Sequence, residues 1–232
     1  MYQKIVFALL LGLMVAGCGA ENGGGGGGDT NGTTNTDSNN SGVDINLTQA
    51  IADGNVTGYD ASKNGTPQVQ QNYLVILNYL RSLSITCNDD AAITGPSSPE
   101  MVWNDHLADA AEEHSEDMRK SVWYNHDGSG TVNDKTAQDL GLGRGSYFDE
   151  RIEHNGFAGS LKAENIATSG ANYVLPSDYW LKVMEGWMAS THGHCSNIMN
   201  PALTQFGMYE SRAAQDGSGT YKIYWTQDFG GN

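Results

Sequence analysis

Six consecutive glycines, Gly23–Gly28, sit inside a stretch that holds little but Gly, Asn, Thr, Ser and Asp. From Gly19 to about Gly65 this composition cannot bury enough apolar surface to offset the entropy of ordering it, so residues 18–66 are expected to form a flexible tether. For the 24 residues Gly19–Gly42, random-coil scaling gives a reach of about 27 Å. Val43, Ile45, Leu47 and Ile51 give the end of the tether enough apolar character to dock as a short strand or turn. The break places one folded domain at 67–232, and it explains a hydrophobic content of only 38%: an ordinary domain is averaged with a leash. Charge excludes one class of partner. With 12 Lys plus Arg against 27 Asp plus Glu, the net charge is −15, and most of it falls beyond Thr66. No window carries the basic face that nucleic acid requires, so no nucleic-acid partner is expected.

The first 17 residues have their own logic. A basic start at Lys4, an apolar run Ile5–Leu13 and the small residues Val15-Ala16-Gly17 make a secretory signal, too short to span a bilayer at ~20 residues. Val15-Ala16-Gly17-Cys18 resembles the lipobox of bacterial lipoproteins. The resemblance implies cleavage before Cys18, lipidation of Cys18, and a membrane partner reached through that anchor. Several acyl chains at ~0.8 kcal/mol per buried methylene hold where one is marginal. It further implies an exported protein of the cell envelope, with Gly19 in place of Asp directing it to the outer membrane or cell surface.

Periodicity organises the domain. Val69, Tyr73, Ile76, Leu77, Leu80 and Leu83 recur at helical steps, and Leu107, Ala110, Ala111, His114, Ser115 and Met118 form one stripe behind a candidate N-cap, Asn104. Further helices are expected at Tyr147–His154 and Ser177–Ser190, the latter turning Trp180, Val183, Met184 and Trp187 inward. Tyr221, Ile223 and Trp225 alternate as in a strand, and Phe206–Tyr209 forms a weaker one ending at Glu210; the turn-rich Ala214–Thr220 makes them a hairpin. Helices followed by late strands indicate an α+β domain.

Of the three cysteines, lipidation removes Cys18 and leaves Cys87 and Cys195 as the one intramolecular pair in a compartment that permits disulfides. The rival reading places Cys195 in a metal site with His192 and His194.

Taken in order, Asn78-Tyr-Leu-Arg81, Val102-Trp-Asn104, Leu107–Met118, Asn125-His126, Arg151 with Gly156-Phe157, Glu164-Asn-Ile-Ala167, Trp187–Ser190, Gly193–Met199 and Tyr224-Trp-Thr-Gln227 with Phe229-Gly230 resemble the bacterial branch of the CAP superfamily. These are the cysteine-rich secretory, antigen 5 and pathogenesis-related proteins, or SCP domain. The resemblance covers Gln68–Gly230 and implies a three-layer α-β-α sandwich with a small central antiparallel sheet and a cleft. It places His126, Glu164 and His194 in that cleft. A second acid found in relatives falls on Ser190, Ala163 stands where Gly usually precedes the Glu, and an apparent insertion at Thr191-His192 leaves His192 and His194 as alternatives.

Two neutral imidazoles can hold a divalent metal such as zinc and leave positions open, with a nearby carboxylate to orient them, so His126 and His194 are the metal candidates. His126, Glu164 and His194 are equally the candidate catalytic groups. Three functions follow: an envelope module whose cleft binds a small molecule, lipid or envelope ligand; a hydrolase of protein or envelope polymer in which Glu164 activates water; or a structural, adhesive module with a vestigial cleft. His114 reads as a core histidine, His106 and His154 as exposed. Asp127–Asp134 lacks the glycine placement and closing Glu of an EF-hand and reads as a turn. Trp103, Trp180, Trp187 and Trp225 read as core or cleft wall, and Trp123-Tyr124 as the cleft mouth.

Overall fold

The computed structural model describes residues 14–16, 44–66, 68–171, 175–212 and 221–232. The apolar run Ile5–Leu13, Cys18, the glycine run and the turn Ala214–Thr220 lie outside them. In the full-length chain Met14–Ala16, within the segment read as a signal, forms a three-residue strand (β1).

The sheet contains β1, β2 (Val102–Trp103), β3 (Leu161–Ala171), β4 (Gln205–Arg212) and β5 (Tyr221–Gly231), in the order β1-β3-β5-β4-β2. The expected hairpin is present: β4 and β5 pair antiparallel, with Phe206 opposite Phe229, and β4 runs past Glu210 to Arg212. The sheet is not wholly antiparallel, because β2 lies parallel to β4. These two strands are distant in sequence, and a long crossover between them permits the parallel sense.

Helices cover both faces. On one lie α1 (Leu47–Ala52), α2 (Val69–Ser82), α6 (Trp180–Met188) and α7 (His194–Met199); on the other lie α3 (Asp105–Ser121) and α5 (Phe148–His154), preceded by the short α4 (Lys135–Leu140). Strand alternation sorts the side chains. Ile223, Trp225 and Phe229 join the larger core with Leu77, Trp180 and Trp187, whereas Tyr224 packs with Met118 and Ile166 on the α3 side. The sandwich expected from the resemblance is therefore the observed architecture.

Local chemistry sets the helix ends. The Asn104 side chain accepts from His106 N and Leu107 N at 2.9 and 3.3 Å, as its reading as N-cap of α3 required. At Gly207, an added Cβ would lie 2.1 Å from Ala108 N, so only glycine lets α3 sit this close to β4.

Residues 44–66 differ from the expected tether. Asn46 caps α1 through Gln49 N, Leu47 N donates to Glu185 Oε1 at 2.7 Å, and Leu47, Ala50 and Val56 are buried in the main core. The short docking element is a helix and not a strand, because Leu47 and Ala50 lie three residues apart and share one helical face.

Candidate functional site

The segment that carries His126 begins where α3 ends. Val122 closes that helix in the left-handed region at φ 51°, a conformation β-branched residues rarely adopt, and the chain doubles back through Trp123–His126. Trp123 is 43% exposed, its Nε1 donating to Asp127 O. Tyr124 Oη reaches Ile166 O at 3.4 Å, and Trp187 Nε1 from the opposite layer donates to the same carbonyl at 3.2 Å. Both helical layers thus converge on β3 beside Glu164.

Glu164 organises a buried polar cluster. Its Oε1 accepts from His126 Nδ1 at 2.8 Å and its Oε2 from Arg151 Nη2 at 2.8 Å. Arg151, fully buried on α5, also donates to the carbonyls of His126 (2.7 Å) and Ser146 (2.8 Å), fixing the His126 loop and the carboxylate together. Burial raises the Glu164 pKa, but Arg151, with the histidines beside it, outweighs burial and holds the group below its ordinary value. His114 donates through Nε2 to Asn125 O at 2.9 Å and lies 3.9 Å from Glu164. Burial, then Arg151, lower its pKa to about 3, so it is a neutral core histidine bordering the cleft. The ionised Glu164 fixes the His126 tautomer, with the proton on Nδ1. That leaves His126 Nε2, which is buried and has no hydrogen-bond partner among the described residues.

The two candidate second histidines differ in burial. His194, at the start of α7, is buried, with Nδ1 2.7 Å from Ser190 Oγ; His192 is exposed and contacts Thr191. The Ser190 hydroxyl thus fixes the His194 imidazole. Asn165 Nδ2 donates to His194 O at 3.3 Å and Asn197 Nδ2 to Glu164 O at 3.3 Å, tying α7 to β3.

Two buried groups stand beside these residues that the sequence did not single out. Arg151 appeared only as part of the resemblance, and Asp228 not at all. Asp228 is opposite Glu164 in the β3–β5 register, is fully buried, and neither carboxyl oxygen has a hydrogen-bond partner among the described residues. Burial, then the Glu164 charge, push its pKa well up, against the opposing pull of Arg151. Burial and the Glu164 charge thus both favour the protonated form of Asp228. An aspartate three residues beyond Trp225 on an alternating strand was the available signal, since Tyr224, Thr226 and Asp228 share one face.

Cys87 and Cys195 form a disulfide with Cα atoms 5.5 Å apart, which removes the rival Cys195 metal site. Among the described residues, the one trio of His, Cys, Asp or Glu ligand atoms within 4.8 Å of each other is Cys87, Asp89 and Cys195. Its sulfurs are bonded to each other, and Asp89 instead caps α7 by accepting from Cys195 N and Ser196 N. The Asp127–Asp134 segment is a closed turn: Asp134 accepts from Gly130 N, Ala137 N, Ser146 N and Ser146 Oγ, leaving its oxygens committed to protein donors. His106 is exposed as expected, whereas His154 is half-buried between Thr136 and Asp139.

No curated protein matches the chain. The sequence model of the cysteine-rich secretory protein (CAP) family matches residues 74–229, and with the sandwich fold on which His126 and Glu164 meet, the chain belongs to that family.

Proposed function

We propose that the protein is an exported envelope lipoprotein, anchored through Cys18, whose His126–Glu164–His194 cleft binds a ligand and can hold a divalent metal such as zinc. The observation that carries the ligand-binding reading is the buried, unpartnered Nε2 of His126, with Nδ1 bonded to Glu164. A carboxylate behind a histidine is the usual support for a metal-ligating imidazole, because it fixes the tautomer and raises ligand basicity. His126 and His194 would hold the ion, which when bound supplies a Lewis acid with open positions. Glu164 would orient His126 and balance the charge.

A hydrolase reading is less well supported. Both Glu164 oxygens are engaged, by His126 and Arg151, and its lowered pKa makes it a weak base toward water. Ser190 adds no second carboxylate.

Isothermal titration of zinc chloride into the full chain tests the metal. One binding event is expected in the wild type, lost in His126→Ala and weakened in Glu164→Gln; absent binding, or binding unchanged in His126→Ala, would refute it. Phase partition in detergent tests the anchor: wild type expressed in bacteria enters the detergent phase and Cys18→Ser does not, whereas identical partition would overturn anchoring at Cys18.

A further inference from the structure

An opening lies away from His126, Glu164 and His194, at the β4 margin of the sheet. β4 is paired with β5 along its whole length, whereas β2 covers its opposite edge only at Gln205 and Phe206. Val102 N donates to Thr204 O and Asn104 N to Phe206 O; the chain then turns away into α3. From Gly207 to Arg212 no described strand pairs with this edge.

A cavity of about 580 Å³ occupies the place where such a strand would run. It touches Met208, Tyr209 and Glu210 in succession. Consecutive strand residues point to opposite faces, so a space that meets three in a row looks onto the edge itself. Counting by twos from Phe206, the last β4 carbonyl to receive a hydrogen bond from the β2 side, the main-chain groups of Met208 and Glu210 point into the cavity.

Its walls differ in character. The α2 layer contributes Val69 and the buried Tyr73, and Trp103 closes one end with Nε1 donated to Asp105. The α3 wall presents Asp105, Asp109 and Glu112, all exposed, at helical spacings of four and three that align them on one stripe. Arg212, the basic residue lining the cavity, is paired with Glu210. The acidic charge of the α3 wall therefore has no basic counterpart across the groove. An added strand would place every second side chain about 6.8 Å apart along this wall, close to the rise of about 6 Å between Asp105 and Asp109.

We propose that this groove is a strand-addition site for an extended, lysine- or arginine-bearing segment of a partner protein. The partner's main chain pairs with the free edge at Met208 and Glu210, and its alternate basic side chains meet Asp105, Asp109 and Glu112. The site shares none of the residues His126, Glu164 or His194.

The test uses the full chain and a fluorescent peptide alternating Lys and Thr, with anisotropy read at physiological ionic strength. Binding is expected to weaken about tenfold or more in Asp109→Lys/Glu112→Lys, and likewise when every peptide amide is N-methylated. Amide exchange at Met208 and Glu210 is expected to slow about tenfold on saturation. Absent binding would overturn the proposal. So would equal affinity for the N-methylated peptide, which marks general attraction of a cation to an acidic surface, or unchanged exchange at these two amides.

Discussion

Replacing Asp228 with asparagine isolates the energetic cost of a buried, unpartnered acid. Asp228 is inaccessible to solvent, and its pKa stands well above the ordinary 3.8, because burial and then the Glu164 charge oppose ionisation. The folded protein therefore keeps a proton that the unfolded chain releases. For an acid with a raised folded pKa, the stabilising contribution is fully present below the unfolded pKa and is lost as pH rises toward the folded one. The loss is about 1.4 kcal/mol per pH unit over the interval in which the folded carboxyl stays protonated. Asparagine has nearly the same shape and no proton to release. The stability of Asp228→Asn minus that of the wild type should therefore climb with pH from about pH 4, at a slope of about 1.4 kcal/mol per unit. Glu164 has the opposite sign: its depressed pKa gives stability present above the unfolded pKa and lost on acidification, so it weighs on the comparison only at lower pH. Urea unfolding read by tryptophan fluorescence at several pH values measures the slope, since Trp180, Trp187 and Trp225 are all buried. A difference that is flat or falls with pH would show that Asp228 is ionised in the fold, and would refute the assignment of the proton.

Arg151→Met leaves Glu164 buried without its cation and should destabilise the fold by roughly 3–5 kcal/mol in denaturant melts, where a loss below about 1 kcal/mol would contradict the charge balance described for the cleft. Val122→Gly should raise stability by about 1 kcal/mol, since the left-handed backbone at φ 51° disfavours valine and this 69% exposed side chain buries little; an unchanged melting temperature would count against strain there. Opening the Cys87–Cys195 bridge with the double serine variant should cost roughly 4–5 kcal/mol, from a sequence separation of 108 residues, and a much smaller loss would indicate a compact unfolded state.

Some elements were legible because one short window contained their whole signal. The α3 stripe from Leu107 to Met118 shows its period in twelve residues, and its cap, Asn104, stands three residues before it. The β4–β5 pairing follows from alternation on both sides of a turn. Other elements gave no local signal. α7 is six residues long, under two turns, too short for a period to show. β3 lies between layers, so Glu164 and Asn165 are both buried and polar-apolar alternation disappears. At α1 the apolar residues Ile45, just before the helix, and Leu47 and Ile51 within it satisfy strand and helix alike, and docking against α6 through Glu185 decided between them.

The cleft divides along the same line. The resemblance pointed to His126, Glu164 and His194, of which the fold joins His126 to Glu164, and cysteine counting named Cys87 with Cys195, which the fold bonds. Which histidine after Ser190 is buried, and how Arg151 from α5 neutralises Glu164, depended on how the layers close. So did the fate of Asp228: on an isolated strand it would read as one more solvated acid, and only helices packed over that face turn it into a buried proton carrier, because the cost of ionisation is set by neighbours that the strand's own sequence does not contain.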